Sequence, residues 1–87
     1  MPLFIVYNVP DQEPEMNAFK TTQTLGLFIR EARKSQGLTQ EQLASVSGTG
    51  RRFIIDLESG KESCHLNKTL KVITMLGLEL SIRQKEG

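Results

Sequence analysis

The chain has no tryptophan, one cysteine, one histidine and three prolines in 87 residues, and its formal net charge is only +1. Each shortage excludes something. The lone Cys64 cannot close an internal disulfide, and no paired-cysteine metal spacing exists. Cys64 and His65 are neighbours, but one of each is too few ligands for a zinc site, and adjacent side chains tend to point apart. The weak net charge argues against a non-specific nucleic-acid coat, which needs a strongly basic surface. No stretch approaches the roughly 18–20 apolar residues of a membrane span. The opening apolar stretch, Leu3 to Val9, is interrupted by Asn8 and has neither a basic flank nor a cleavage-like site, so no membrane partner and a cytoplasmic location are expected. No nucleophile has a partner and no acid–base pair suggests a pocket, so neither an enzyme nor a cofactor is expected.

What is there is a small, uneven chain. A domain of this size buries only about 60–65% of its unfolded surface, which makes self-association a natural supplement to its core. Residues 1–23 carry Lys20 against Asp11, Glu13 and Glu15, whereas residues 24–61 carry six basic side chains against four acids. The basic excess therefore lies in the part with helical periodicity.

Leu3–Val9 is β-branched and aromatic and stops at Pro10, which predicts a strand. The acidic, turn-like Asp11–Glu15 follows, so that strand needs a partner distant in the chain or on another chain. Residues 16–23 form a lead-in. Thr24 is a plausible cap for a first helix over Leu25–Gln36, with Leu25, Phe28, Ile29 and Ala32 at the spacing of one face and Gly37 as the stop. Thr39-Gln-Glu-Gln42 matches a capping box and opens a second helix, with Leu43, Ala44 and Val46 expected inside and Gly48 at its end. Gly50 caps a third helix whose buried stripe is Ile54 and Leu57, ending at Ser59-Gly60. Arg51, Arg52, Ile55 and Asp56 fall elsewhere on its wheel. Asn67 is expected to cap a fourth helix with the stripe Leu70, Ile73 and Leu76, beside Val72 or Met75, closed by Gly77. Leu78–Arg83 alternates apolar and polar and predicts a half-buried strand with Leu78, Leu80 and Ile82 on one side.

Two short helices joined by a glycine-containing turn, the second opening on arginines, describe a helix-turn-helix. The major groove admits one helix and is read from its N-terminal residues. An arginine there can give guanine O6 and N7 two parallel hydrogen bonds, and Arg51 and Arg52 stand at that end. A helix N-terminus also attracts phosphate, where Gln40 is placed to help. The run LTQEQLA…G…I…LE.GK, ungapped from Leu38 to Lys61, is similar to the Xre-type, phage-repressor-like helix-turn-helix family. That resemblance implies a mainly α, compact four-helix domain with short terminal strands. It implies that Gln40 braces a phosphate and that Gly50, Arg51, Arg52 and Ile55 face the groove, with Asp56 at a further position that can contact DNA. Thr39, Thr49 and Lys61 complete the expected DNA-binding set. Arg33 and Glu58 match the family's structural ion pair. The flanks, GTGRRFIIDLESGK and LGLELSIR, resemble the HipB-like antitoxin branch, and the overall likeness runs over residues 24–83. That branch implies a homodimer paired through its C-terminal strands (here Leu78, Leu80 and Ile82), a palindromic double-stranded operator, repression of its own operon and a HipA-like serine/threonine kinase toxin as partner.

The chain departs from the family pattern at Gly50, where a serine-like cap is usual, and at Phe53 and Ile55, where small polar residues are commoner. Those two apolar residues and the N-terminal strand motivate a rival expectation: a protein-interaction module that mainly masks a toxin, with DNA binding secondary. The expected division is a strand and linker over 1–23, the helix-turn-helix domain over 24–77 and a dimerisation strand with a tail over 78–87.

Overall fold

The computed structural model describes Leu3, Phe4 and residues 19–82. In chain order the elements are β1 (Leu3–Phe4), α1 (Thr22–Ser35), α2 (Gln40–Ser47), α3 (Arg51–Ser59), α4 (Leu66–Met75) and β2 (Leu78–Glu79). The expected strand beyond Phe4, the acidic loop, residues 16–18 of the lead-in, Arg83 and the tail lie outside the described residues.

The helices begin and end where the backbone supplies partners. The first helix starts earlier than its apolar spacing suggests: Thr21, not Thr24, is the cap, its hydroxyl accepting from the Thr24 amide at 3.1 Å. Thr24 is thereby drawn inside the helix. The capping box on α2 is complete, with the Thr39 hydroxyl accepting from the Gln42 backbone amide (3.0 Å) and the Gln42 side-chain Oε1 accepting from the Thr39 backbone amide (2.8 Å). At the end of α2, Gly48 is left-handed (φ 69°), and Thr49 and Gly48 donate back to the carbonyls of Ala44 and Ser45. This is a Schellman turn, whose positive φ favours glycine. On α4 the cap is His65 rather than Asn67. Its Nδ1 accepts from the Lys68 amide at 3.3 Å, which starts the helix early enough to take Asn67 into its first turn.

The core is Ile29 and Ala32 from α1, Leu43 and Ala44 from α2, Ile54 and Leu57 from α3, Val72, Ile73 and Leu76 from α4 and its end, and Leu78 from β2. Ile29, Leu43, Ile54 and Val72 are fully buried, and each contributes about 1.5–3 kcal/mol by leaving water. Two inward assignments from the spacing do not hold. Val46 is 50% exposed, because α2 turns only Leu43, Ala44 and Ser47 to the interior. Leu70 and Met75 are also exposed, and Val72 takes the inner position between them.

α3 packs on both α1 and α2, while α4 packs on α2 and β2. The approach of α1 to α3 needs Gly26: a Cβ there would lie 2.6 Å from the carbonyl oxygens of both Leu57 and Glu58. The Thr22 hydroxyl, donating to the Gly60 carbonyl at 2.7 Å, and the Gln36 amide, donating to the Leu76 carbonyl at 2.7 Å, tie the two ends of α1 to later segments. β1 pairs with β2 in parallel within the chain, Leu3 opposite Leu78 and Phe4 opposite Glu79. The C-terminal alternation yields only two strand residues, and of its apolar side only Leu78 is buried.

Candidate nucleic-acid interface

α2, the Gly48-Thr49-Gly50 turn and α3 form a helix-turn-helix whose inner face is fastened by a buried ion pair. Arg33 Nε and Nη2 donate to the two oxygens of Glu58 at 2.6 and 3.0 Å, and Arg33 Nη1 donates to the Leu38 carbonyl at 2.7 Å. Both side chains are nearly sealed from water. The geometry is the planar fork of arginine matched to a carboxylate, which lysine cannot reproduce. The pair joins α1 to α3 and pins the segment entering α2.

That cluster also orients Gln40. Its Nε2 donates to Glu58 Oε1 at 3.2 Å, so one amide hydrogen is held and the other remains for a ligand beside the α2 N-terminus. Thr39, next to it, is exposed and uses its oxygen as the cap, leaving its hydroxyl hydrogen free to donate. At the second helix start, Gly50 provides no side-chain cap. The first amides of α3 therefore point outward without a built-in acceptor, as an anion-binding helix end does. Arg51 and Arg52 are exposed at that end, and Ile55 is half-buried one turn on.

Two expected residues have more committed surroundings. Ser47 donates to the Leu43 carbonyl at 2.7 Å, so the 3.0 Å contact between Ser47 and Thr49 hydroxyls is most simply a donation from Thr49. The Thr49 amide is also engaged, at 2.9 Å to Ala44. With both donors used, Thr49 faces outward only as an acceptor. Asp56 is half-buried and paired on both sides, with Arg52 at 3.1 Å and with Lys61 at 3.5 Å.

Phe53 does not lie on this surface. It packs against the core, and the Lys68 ammonium sits 5.9 Å from its ring centroid. Its size is therefore accounted for by packing against the core. Cys64 also packs against the core beside α3. Burial pushes its thiol pKa up, Asp56 adds to the rise and Lys61 opposes it. Among the described residues there is no cluster of metal-ligating side chains and no helix long and apolar enough to cross a membrane.

The residues that sequence reasoning missed are Gly26 and Ser47. Nothing local marks either, since each is required by a neighbour's backbone or hydroxyl.

The helix-turn-helix family model HTH_3 matches residues 29–81, a stretch spanning α1 to the C-terminal strand. The chain belongs to this helix-turn-helix family. It is a DNA-binding transcriptional regulator of that family. A curated relative, an uncharacterized HTH-type transcriptional regulator (y4mF) of Sinorhizobium fredii, is 44% identical over 63 residues, covering 72% of this chain and 83% of its own. Among solved structures, the restriction-modification controller protein C.AhdI from Aeromonas hydrophila is 36% identical with a TM-score of 0.61, over 67% of this chain and 84% of that one. A chain of the HipA-HipB-O2-O3 complex superposes with a TM-score of 0.71 over 78% of this chain and 96% of its own, at 20% identity. That likeness is one of fold, and it extends the four-helix repressor architecture to most of the described residues.

Proposed function

We propose that the chain is a homodimeric, sequence-specific repressor that acts as the antitoxin of a toxin–antitoxin operon. The observation that carries the DNA part is the pairing of two exposed helix starts. Gln40 and Thr39 offer donors at α2, and Arg51 and Arg52 stand over the uncapped amides of α3. Phosphate donors fix register and arginines at the helix start read base edges. In this reading Gly50, Arg51, Arg52 and Ile55 face the groove, Thr39, Gln40 and Lys61 hold the backbone, and Thr49 and Asp56 line the same edge. Residues 24–77 make up the DNA-binding unit, and the segment from Leu78 serves dimerisation.

Dimerisation is supported by what β2 leaves open. One edge pairs with β1, and the apolar Leu80 and Ile82 just beyond are exposed, Ile82 by 88%. A second copy adding its own β2 at the other edge covers them and sets two α3 helices for half-sites about 34–36 Å apart on a palindrome. The HipA-like serine/threonine kinase toxin as partner rests on the sequence likeness of the flanks and on the fold shared with a chain of the HipA-HipB-O2-O3 complex.

The test is a gel shift on the sequence upstream of the chain's own reading frame. Wild type is expected to shift it, and Arg51→Ala with Arg52→Ala to weaken binding at least about 30-fold, since each good bidentate pair is worth about 1–3 kcal/mol. Equal binding by that double variant at matched salt rejects the groove assignment. Co-purification with the product of an adjacent kinase-like frame tests the antitoxin part. The rival reading of a mainly protein-binding module loses one of its motives, because Phe53 serves the core.

A further inference from the structure

The charges on α3 run against its own dipole. A helix is favoured by acids in its first turn and bases in its last, and α3 has neither. It carries Arg51 and Arg52 at its positive end and Asp56 in its second half. The Arg52–Asp56 pair also has the less favourable order at i, i+4, with the cation N-terminal to the acid. Helix stability therefore does not account for this arrangement.

Asp56 is nonetheless built in. Its side chain is only 18% exposed, and its two oxygens are divided between two cations: Oδ1 with Arg52 Nη2 at 3.1 Å and Oδ2 with Lys61 Nζ at 3.5 Å. Lys61 is delivered by the turn that ends α3. With Gly60 left-handed (φ 87°), the Lys61 amide donates to the Asp56 carbonyl at 3.0 Å, which brings the lysine stem back beside the carboxylate. The cationic heads still face water, Arg52 being 80% exposed. Arg51, one residue earlier, makes no ion pair among the described residues.

We infer that Asp56 is a specificity-determining positioning residue, restraining Arg52 and Lys61 so that the reading surface presents one free arginine and two masked cations. The inference rests on the DNA-binding reading above and adds a mechanism to it. Non-specific affinity grows with the number of cations free to neutralise phosphates. A carboxylate shared by two of them lowers that number and repels phosphate itself. The Asp56 carboxylate also draws the exposed Arg52 guanidinium to one side of α3, while its outward N–H groups stay free to donate to a guanine in the matching position. Asp56 thus weakens binding to arbitrary duplex more than binding to the matched one.

The experiment first selects a duplex from a random library with the wild-type protein. Binding of that duplex and of an unrelated one of equal length is then measured by fluorescence anisotropy across a salt series, for wild type, Asp56→Asn and Asp56→Glu. Asp56→Asn is expected to tighten binding of the unrelated duplex about 3–10-fold, to steepen the salt slope by about 1–2, near 0.9 for each cation released to a phosphate, and to cut discrimination about 10-fold. Asp56→Glu, which keeps the charge, is expected to stay within about 3-fold of wild type on both duplexes. A merely structural role would weaken both duplexes alike, and that result overturns the inference. So does an unchanged slope, or a loss confined to one base pair, which would make Asp56 a direct base contact. If wild type enriches no sequence at all, the DNA-binding reading fails first and the inference falls with it.

Discussion

The two halves of this chain treat their surfaces differently. From Thr39 to Lys61, α2 and α3 bury Leu43, Ile54 and Leu57, half-bury Phe53 and Ile55, and tie many of their polar groups to one another. What they expose is chiefly arginine, glutamine, hydroxyls and free helix-end amides, together with Val46. From Leu66 onward, Leu66, Leu70, Met75, Leu80 and Ile82 remain exposed, and the pocket between the end of α2 and α4 is walled by Val46, Leu70 and Met75. The first half is finished as a fold and open as a polar surface. The second half leaves apolar surface uncovered within one chain. Substitutions separate the two, because those in the first half should act on unfolding and those in the second on association.

The largest effect is expected at Glu58. Glu58→Ala leaves the Arg33 guanidinium buried without its counter-charge and frees Gln40 at once. Breaking a buried pair from one side costs about 3–5 kcal/mol, a large share of the stability of so small a domain. Urea unfolding should show the midpoint falling steeply, and a loss below about 1 kcal/mol would mean that the pair is solvated rather than buried. Next is Gly26→Ala. The added methyl meets backbone oxygens of Leu57 and Glu58, which cannot rotate away. α1 and α3 must separate, for a cost of about 1–3 kcal/mol, although alanine is the better helix former. A stabilised variant would show that the close approach of the two helices is not present. A smaller loss, about 1 kcal/mol, is expected for Thr39→Ala, which removes one arm of the capping box. The same melting curves measure it, and no loss would leave the box without energetic weight.

These three positions also mark what sequence alone conveys. Thr39 with Gln42, and the glycine stops at 37, 48 and 60, are legible because each rule is local: a few consecutive residues satisfy their own backbone. The periodic stripe of α3 is legible for the same reason, since its exposed side and its core side differ in polarity. Arg33 and Glu58, 25 residues apart, became visible only through the family resemblance. Gly26 was not legible, because its reason is the backbone of another helix. The role of Phe53 stayed open in the sequence because the wheel does not reveal that its ring packs against the core with the Lys68 ammonium over it. Thr21 and His65 displaced the expected caps because several candidates stand close together, and apolar spacing does not fix the first turn. The C-terminal alternation was legible as a pattern, but its outcome depends on what lies opposite Leu80 and Ile82.

The smallest effect on folding, and the sharpest test of the contrast, is expected for Ile82→Asp. Ile82 is almost fully exposed within one chain and lies past the last residue of β2. A change there should therefore alter unfolding of the isolated chain by no more than about 0.5 kcal/mol, as for other surface positions. If a second copy covers it, the introduced carboxylate loses hydration on association, and two copies of it approach across a twofold axis. Desolvated and unpaired, such charges cost several kcal/mol, so the dimer seen by analytical ultracentrifugation should dissociate at concentrations at which wild type holds together. Operator affinity should fall with it, because one α3 spans only a half-site, while binding of a single half-site should persist. An Ile82→Asp protein that stays dimeric would move the interface off the C-terminal strand and toward the apolar pocket of α2 and α4. If the variant instead unfolds, Ile82 is covered within the chain, and the division between a finished half and an open half is wrong.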